Sequence, residues 1–238
     1  MNIPMRDSDL TASREEYQSP EMISVHCAPV PTSLPAIVVT RWIASLPKRR
    51  KMTLARRLSG GNGLQSLTGL ALLASLSTER QLPSLGQLQW TSNGKPSFPD
   101  GPDFSITHSA GFAACAVATK GLRVGIDLES IDRVRMATIR LVANDDERNA
   151  LESGSRSPAE LWTAKEAVLK LTGARLADIG RVSVDRDRAN FAGVEFHVQC
   201  CRLKEGLLLA IATEQPIPQP SIGWRSPSEI FGMATDCN

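Results

Sequence analysis

The 238-residue chain is 42% hydrophobic and 22% charged, which is typical of a globular protein with an apolar core. Its net charge of +2 argues against a general nucleic-acid-binding protein. Five cysteines without a C-x-x-C pair predict neither a disulfide framework nor a zinc site, and they favour the reducing cytoplasm. No signal-peptide h-region is visible near the N-terminus, and no apolar run approaches the ~20 residues of a membrane helix. We therefore expect a cytoplasmic protein without a membrane or nucleic-acid partner.

The first part of the chain is predicted to contain a flexible extension, residues 1–30, and an α/β half, residues 31–120. The β-branched run AIVVTRWI, residues 36–43, predicts a strand. The basic run that begins at Lys48 predicts a helix, because a glycine pair follows it. Apolar residues at helical spacing predict a core helix next, and the segments FSITHS and FAACAVAT predict two strands.

The second part of the chain is predicted to contain another α/β half, residues 121–214, and a loosely packed tail, residues 215–238. Its best-marked helix begins at a capping box formed by Ser157 and Glu160 and ends at Gly173. Three apolar segments after this helix predict a closing antiparallel meander.

The sequence GIDLE, residues 125–129, places two carboxylates two positions apart in a predicted strand. Side chains alternate between the two faces of a strand, so Asp127 and Glu129 share one face and lie about 6 to 7 Å apart. The apolar residues between and around them face a core instead: Val124, Ile126 and Leu128. Paired hard oxygen ligands suit Mg²⁺ and a phosphate that it carries. The alternative is a charged strand face in water.

The later helix that contains WTAKEAVLK offers a second group of charges. Glu166 and Lys170 are four residues apart, the spacing of a surface ion pair. The alternative is that Glu166 is a third oxygen ligand of the metal and that Lys165 and Lys170 face the phosphates. His108, at a strand end among Ser and Thr residues, is either structural or exposed, or it contacts the same phosphates.

A basic run places six cations in the ten residues from Lys48 to Arg57. Such a run is usually a solvated helix face and sometimes a nucleic-acid patch. It also suits a phosphate monoester or an acidic protein, and the run alone does not decide among these partners.

Four motifs occur in a recognisable order between residues 93 and 173: NGKPSFP, FSITHS, GIDLE and WTAKEAVLKLTG. Together they resemble the Sfp-type 4′-phosphopantetheinyl transferases, which move the phosphopantetheine arm of coenzyme A to a carrier-protein serine and release 3′,5′-ADP. The resemblance implies an α+β fold, in which two similar α/β subdomains have a pseudo-two-fold arrangement and the active site lies in the cleft between them. It also implies Mg²⁺ as cofactor, coenzyme A as substrate, an acyl or peptidyl carrier protein as partner, and a monomer.

The same resemblance implies roles for individual residues. The metal ligands are expected to be Asp127, Glu129 and Glu166. Contacts to coenzyme A are expected from Lys48, Lys51, Lys95, His108, Ser109, Lys165 and Lys170, with Lys48 and Lys51 on its 3′-phosphate. The catalytic residues are expected to be Glu166, Lys170 and His108. In these roles Glu166 accepts the serine proton, directly or through a water bound to the metal, and the two cations stabilise the phosphates.

One position departs from the family's pattern. Gln65 stands where the family usually carries an arginine that faces the coenzyme. Arg56 or Arg57, from the preceding helix, is the alternative source of that cation.

Two other functions are open at this point. A Mg²⁺-dependent phosphodiesterase or nuclease would use the same three carboxylates, and the basic run would then hold nucleic acid. Such enzymes often have a second metal site, but no second acidic cluster stands near these motifs in the sequence. A non-catalytic module that binds a carrier protein would tolerate the loss of Glu166, whereas an enzyme would not.

Overall fold

A computed structural model of the chain describes residues 22–59 and 63–232. The helices and strands are, in chain order, β1 (Ile23–Pro29), α1 (Ala36–Ala44), α2 (Lys48–Ser59), α3 (Gly63–Arg80), β2 (Gln89–Trp90), β3 (Pro96–Ser97), β4 (Phe104–Ser109), β5 (Phe112–Ala118), β6 (Val124–Ser130), α4 (Met136–Arg140), α5 (Asp145–Glu152), α6 (Pro158–Thr172), β7 (Ser183–Asp185), β8 (Arg188–Phe191), β9 (Val194–Arg202), β10 (Leu207–Thr213), β11 (Ser221–Trp224) and α7 (Pro227–Phe231). This mixture of helices and mainly antiparallel sheets confirms the predicted α+β class. The pseudo-two-fold arrangement stays a prediction.

The first sheet has the strand order β11-β1-β5-β4. Strand β5 pairs antiparallel with both β1 and β4, while β11 pairs parallel with β1. Helix α3 packs on this sheet and buries apolar side chains around most of its circumference. Gly69 permits the close approach of α3 to β4, because a Cβ at that position would lie 2.4 Å from Ile106 Cγ2.

The second sheet has the antiparallel strand order β6-β10-β9-β8-β7, and α6 packs on it. Helix α6 begins at the capping box of Ser157 and Glu160 and ends at Gly173, which has a φ of 72°, as the sequence predicted. Gly125 of β6 lies against the helix backbone, because a Cβ there would be 2.1 Å from Ala167 O. The charged residues of α6 are therefore held close to those of β6.

The two sheets meet where β4 and β6 run side by side. Backbone N–H groups of β6 donate to side chains at alternate positions on and just before β4: Val124 to Asp103 (2.9 Å), Ile126 to Ser105 (3.0 Å) and Leu128 to Thr107 (3.3 Å). A core shared by β1, β5, β6 and β10 packs beside this junction. The end of β4, with the predicted site residue His108, is thus fixed beside the acidic end of β6.

The strand predicted over residues 36–43 is wrong, because this segment is helix α1. Its apolar residues face the core at helical spacing: Val38, Val39, Trp42 and Ile43. Packing of this stripe outweighs the strand preference of the β-branched residues, which depends strongly on context.

The predictions of loose ends are wrong for the parts that the structure describes. Within the extension predicted over residues 1–30, strand β1 lies in the interior of the first sheet. Within the tail predicted over residues 215–238, β11 pairs with β1 and α7 packs on α3. Residues 1–21 and 233–238 lie outside the described part of the chain. Within that part, no helix is both long and apolar enough to cross a membrane.

Candidate active site

The two carboxylates of β6 lie on the face that meets α6, as predicted, while Val124, Ile126 and Leu128 lie in the opposite core. Asp127 is buried, with 3% of its surface exposed, and Glu129 is half-buried. A buried carboxylate is costly unless it finds partners. The contacts of Asp127 therefore decide what this face can do.

Asp127 has one oxygen with partners and one without. Its Oδ1 lies 2.6 Å from Lys170 Nζ, which donates to it, and also accepts a hydrogen bond of 3.0 Å from Thr107 Oγ1. Its Oδ2 is buried and has no hydrogen-bond partner within residues 22–59 and 63–232. Buried polar atoms are normally satisfied, so an orphaned carboxylate oxygen points to a missing ligand.

Glu166 lies on α6 close to this pair. Burial raises the pKa of its carboxyl to about 7, and the charges of Asp127 and Glu129 act in the same direction. The Lys170 ammonium opposes this shift. Lys170 pairs with Asp127 across the helix–sheet contact, so the surface pair with Glu166 that its spacing allowed is not the interaction seen.

A cavity of about 440 Å³ opens beside the carboxylates. Its lining includes Gln65, His108, Ser109, Glu129, Arg135 and Trp162. Ser109 Oγ donates to Glu129 Oε2 at 2.7 Å. His108 is exposed at the strand end, yet partial desolvation of its ring and the Lys170 and Arg57 charges lower its pKa. The structure thus brings together most of the residues predicted for phosphate and metal binding.

Lys165 lies apart from these residues, and its predicted contact with phosphate is wrong. Its side chain is fully buried, and its Nζ lies 2.8 Å from Glu147 Oε2 and donates to the carbonyls of Val142 and Val182. Positions five residues apart on an α-helix point about 140° away from each other. Lys165 and Lys170 therefore lie on different sides of α6.

The other predicted lysines lie away from the cavity lining. Lys95 donates to Asp103 at 2.6 Å and to Val124 O at 3.1 Å, so its ammonium links the β2–β3 hairpin to the junction of the sheets. Lys48 is exposed and Lys51 half-buried, both on α2. Their contacts with coenzyme A stay predictions.

Two polar residues near the site, Arg50 and Thr107, were not singled out in the sequence, and Arg57 was considered there only as a substitute for the arginine missing at Gln65. Arg57 donates to Ser66 Oγ at 2.8 Å, and its charge acts on His108. Burial and the Arg57 charge lower the pKa of Arg50. Arg50 and Arg57 are seven residues apart, so both lie on one side of α2. Helical periodicity could therefore have placed them together from the sequence. Thr107 was missed because a buried hydroxyl in an apolar strand has no distinctive pattern.

Comparisons with known proteins agree with this geometry. Residues 123–211 match the family model described as the 4′-phosphopantetheinyl transferase superfamily. The 4′-phosphopantetheinyl transferase Svp of Streptomyces mobaraensis is 36% identical over 111 residues, an alignment that covers 41% of this chain and 45% of that protein. The chain thus spans less than half the length of the curated relative that it matches. The resemblance to 4′-phosphopantetheinyl transferases that the motifs predicted is confirmed for residues 123–211, which carry the acidic strand and helix α6 and match the superfamily's model.

Proposed function

We propose that the protein transfers the 4′-phosphopantetheine group of coenzyme A to a serine hydroxyl of an acyl or peptidyl carrier protein. The superfamily match over residues 123–211 supports this reaction class. The main structural support for this reaction is the cluster of Asp127, Lys170 and Glu166. In this cluster the buried Asp127 Oδ2 has no partner among the described residues. The monomeric, cytoplasmic state expected from the sequence belongs to the same proposal.

The residues present fit a divalent cation by their chemistry. Asp127 Oδ2 is a hard oxygen without a partner among the described residues, and burial together with the charges of Asp127 and Glu129 raises the pKa of Glu166. Among the described residues, no group of three His, Cys, Asp or Glu side chains is placed closely enough to hold a metal ion without some rearrangement. We infer that Asp127, Glu129 and Glu166 would hold Mg²⁺. When bound, the ion would neutralise charge on the pyrophosphate oxygens.

The chain's own residues account for the rest of the chemistry. In the reaction the serine oxygen forms a bond to the β-phosphorus of coenzyme A, the bond from that phosphorus to the bridging oxygen breaks, and 3′,5′-ADP leaves. Lys170 and His108 would stabilise charge that shifts to the leaving phosphate. Glu166 would take the serine proton, directly or through a water, because its carboxyl lies on α6 beside Asp127 and Lys170.

Incubation of the protein with coenzyme A, Mg²⁺ and a panel of apo-carrier proteins, read by intact mass, tests this proposal. A gain of one phosphopantetheine group on a carrier is expected, with none on the same carrier whose acceptor serine is changed to alanine. Coenzyme A that is hydrolysed without modification of any carrier would instead indicate a phosphodiesterase. Carrier binding without either reaction would indicate a non-catalytic module.

A further inference from the structure

A row of buried hydroxyls follows one face of β4. Ser105, Thr107 and Ser109 occupy alternate positions of this strand, so their side chains point to the same side. We call them the hydroxyl row. All three contact β6: Ser105 accepts from the Ile126 amide, Thr107 contacts Asp127 and the Leu128 amide, and Ser109 donates to Glu129. The row therefore lies directly behind the two carboxylates of the site.

The hydrogen bonds of Thr107 have only one consistent direction. A hydroxyl has one proton to donate and two lone pairs that accept. Lys170 Nζ at 2.9 Å and the Leu128 amide at 3.3 Å can only donate, so they occupy the lone pairs. The hydroxyl proton must therefore point to Asp127 Oδ1, which lies 3.0 Å away. All three hydrogen-bonding capacities of this hydroxyl are used, and its orientation is fixed.

This arrangement distinguishes the two oxygens of Asp127. Oδ1 accepts hydrogen bonds from the Thr107 hydroxyl and the Lys170 ammonium, while the buried Oδ2 accepts none from any residue that the structure describes. Thr107 also holds Lys170 at the same oxygen, because the ammonium donates to the hydroxyl and the carboxylate together. Ser109 engages Glu129 in a similar way, since its hydroxyl donates to Oε2 at 2.7 Å.

We propose that Thr107 and Ser109 are positioning residues, which bind one oxygen of each carboxylate and so reserve Asp127 Oδ2 for a divalent cation. The cation itself rests on the proposed function. The positioning of Asp127 and Lys170 by Thr107 does not, and it can be tested on the protein alone.

The first test is structural and needs no ligand. Crystal structures of the full chain are compared for the wild type, Thr107→Val, which has the same shape without a hydroxyl, and Thr107→Ser, which keeps the hydroxyl. We expect the Lys170–Asp127 contact and the carboxylate orientation to be kept in Thr107→Ser and changed in Thr107→Val. An unchanged carboxylate and ammonium in Thr107→Val would overturn the proposal, whether or not the protein is a transferase.

The second test is calorimetric titration of Mg²⁺ into the protein in the presence of coenzyme A. Thr107→Val should weaken Mg²⁺ binding about tenfold, the scale of one lost hydrogen bond to a charged group, and Thr107→Ser should restore it. Thr163→Val is the matched control, because Thr163 is equally buried but its hydroxyl donates to Ala159 O within α6.

Ser109→Ala covers the case in which Thr107→Val does not fold, because it removes only the contact with Glu129 and should also weaken Mg²⁺ binding. Wild-type affinity in the folded variants would overturn the positioning role. A wild-type protein that binds no Mg²⁺ would contradict the cation site. Absence of carrier modification, with Mg²⁺ binding and its Thr107 dependence intact, would instead contradict only the proposed transfer reaction.

Discussion

Two lysine–carboxylate pairs on different sides of helix α6 have the same chemistry and different surroundings. The pair of Lys165 and Glu147 is fully buried, whereas Lys170, which pairs with Asp127, is 31% exposed. Both oxygens of Glu147 have partners: Oε1 accepts from the Val184 amide, and Oε2 accepts from the Asn144 amide and from Lys165. Asp127, in contrast, has an oxygen without a partner.

The difference between these pairs fits a structural role for the Lys165 pair and the binding role that we propose for the Asp127 pair. Glu147 and Lys165 connect α5, α6 and the carbonyls of Val142 and Val182, and every charge has a matching group. Such a complete network stabilises the fold, and it leaves no charged atom available to bind a ligand. The Asp127 pair is incomplete, and incomplete buried groups are typical of binding sites, where stability is given up for function.

The largest effect is expected at the incomplete pair. Asp127→Asn keeps the side-chain volume but removes the negative charge, so phosphopantetheine transfer should fall by more than 10³-fold, or about 4 kcal/mol of barrier. The free energy of unfolding should fall by less than in a variant of the fully buried Lys165 pair, because water can solvate the partly exposed Lys170 ammonium that is left without its partner. Transfer rates and urea unfolding measure the two quantities. The control is Asp178→Asn, which alters a surface ion pair with Arg181. A comparable loss of transfer rate in this control would show that the Asp127 pair has no special role in the reaction.

The opposite result is expected at the complete pair. Lys165→Met leaves the Glu147 charge buried without its counter-ion, which should lower the free energy of unfolding by about 3 to 5 kcal/mol. Urea unfolding at pH 7 measures this change. Lys170→Met should cost less stability, because the 31%-exposed lysine leaves a space that water can enter and solvate the Asp127 carboxylate. Equal destabilisation by the two substitutions would show that the pairs do not differ as described.

Substitution of the basic residues of α2 should have intermediate effects on the binding of coenzyme A. Arg57→Ala should raise the KM for coenzyme A by up to ~100-fold, because a contact between the guanidinium and a phosphate would be lost. The corresponding loss of binding free energy is about 1 to 3 kcal/mol. The exposed neighbour in Arg56→Ala is the matched control.

The same measurement decides where the 3′-phosphate binds. If Lys48 and Lys51 hold it, their double alanine variant should raise the KM for coenzyme A far more than that for dephospho-coenzyme A. An equal rise for both substrates would mean that these lysines are a solvated helix face.

The smallest effect concerns pH and the metal-free protein. The folded-state pKa of Glu166, about 7, lies above the usual 4.5, so between these values the folded protein keeps a proton that the unfolded chain releases. The stability from this group is therefore complete below pH 4.5 and is lost as the pH rises through 7, by about 3 kcal/mol in total or little more than ~1 kcal/mol per pH unit. Urea unfolding in EDTA should show this decline, and Glu166→Gln should remove it. An identical pH dependence in the wild type and the variant would show that Glu166 is solvated and that its pKa is not raised in the folded protein.

The sequence predicted the parts of the site that depend on local periodicity. The alternation in β6 placed Asp127 and Glu129 together, and the capping box and terminal glycine marked α6. Periodicity could not place Lys165, because whether it faces Glu147 or the site depends on where a distant α5 packs. The same limit applies to α1, where a tertiary apolar stripe outweighed β-branched composition.

Long-range pairing was the other missing information. Nothing in the local pattern of residues 23–29 or 221–224 shows that these segments pair with each other almost 200 residues apart. The hydroxyl row was missed for a related reason, since Thr107 gains its role only when β4 lies beside β6.

The central claim is that the Lys170 side of α6 is the active site and the Lys165 side is structural. The most direct measurement is the rate of phosphopantetheine transfer to a carrier protein by Lys170→Met and Lys165→Met, each expressed per folded molecule. Lys170→Met should lose at least about 10²-fold in rate, the scale of one lost transition-state contact. Folded Lys165→Met should transfer at nearly the wild-type rate. Equal loss in both variants, or loss only in Lys165→Met, would contradict the account.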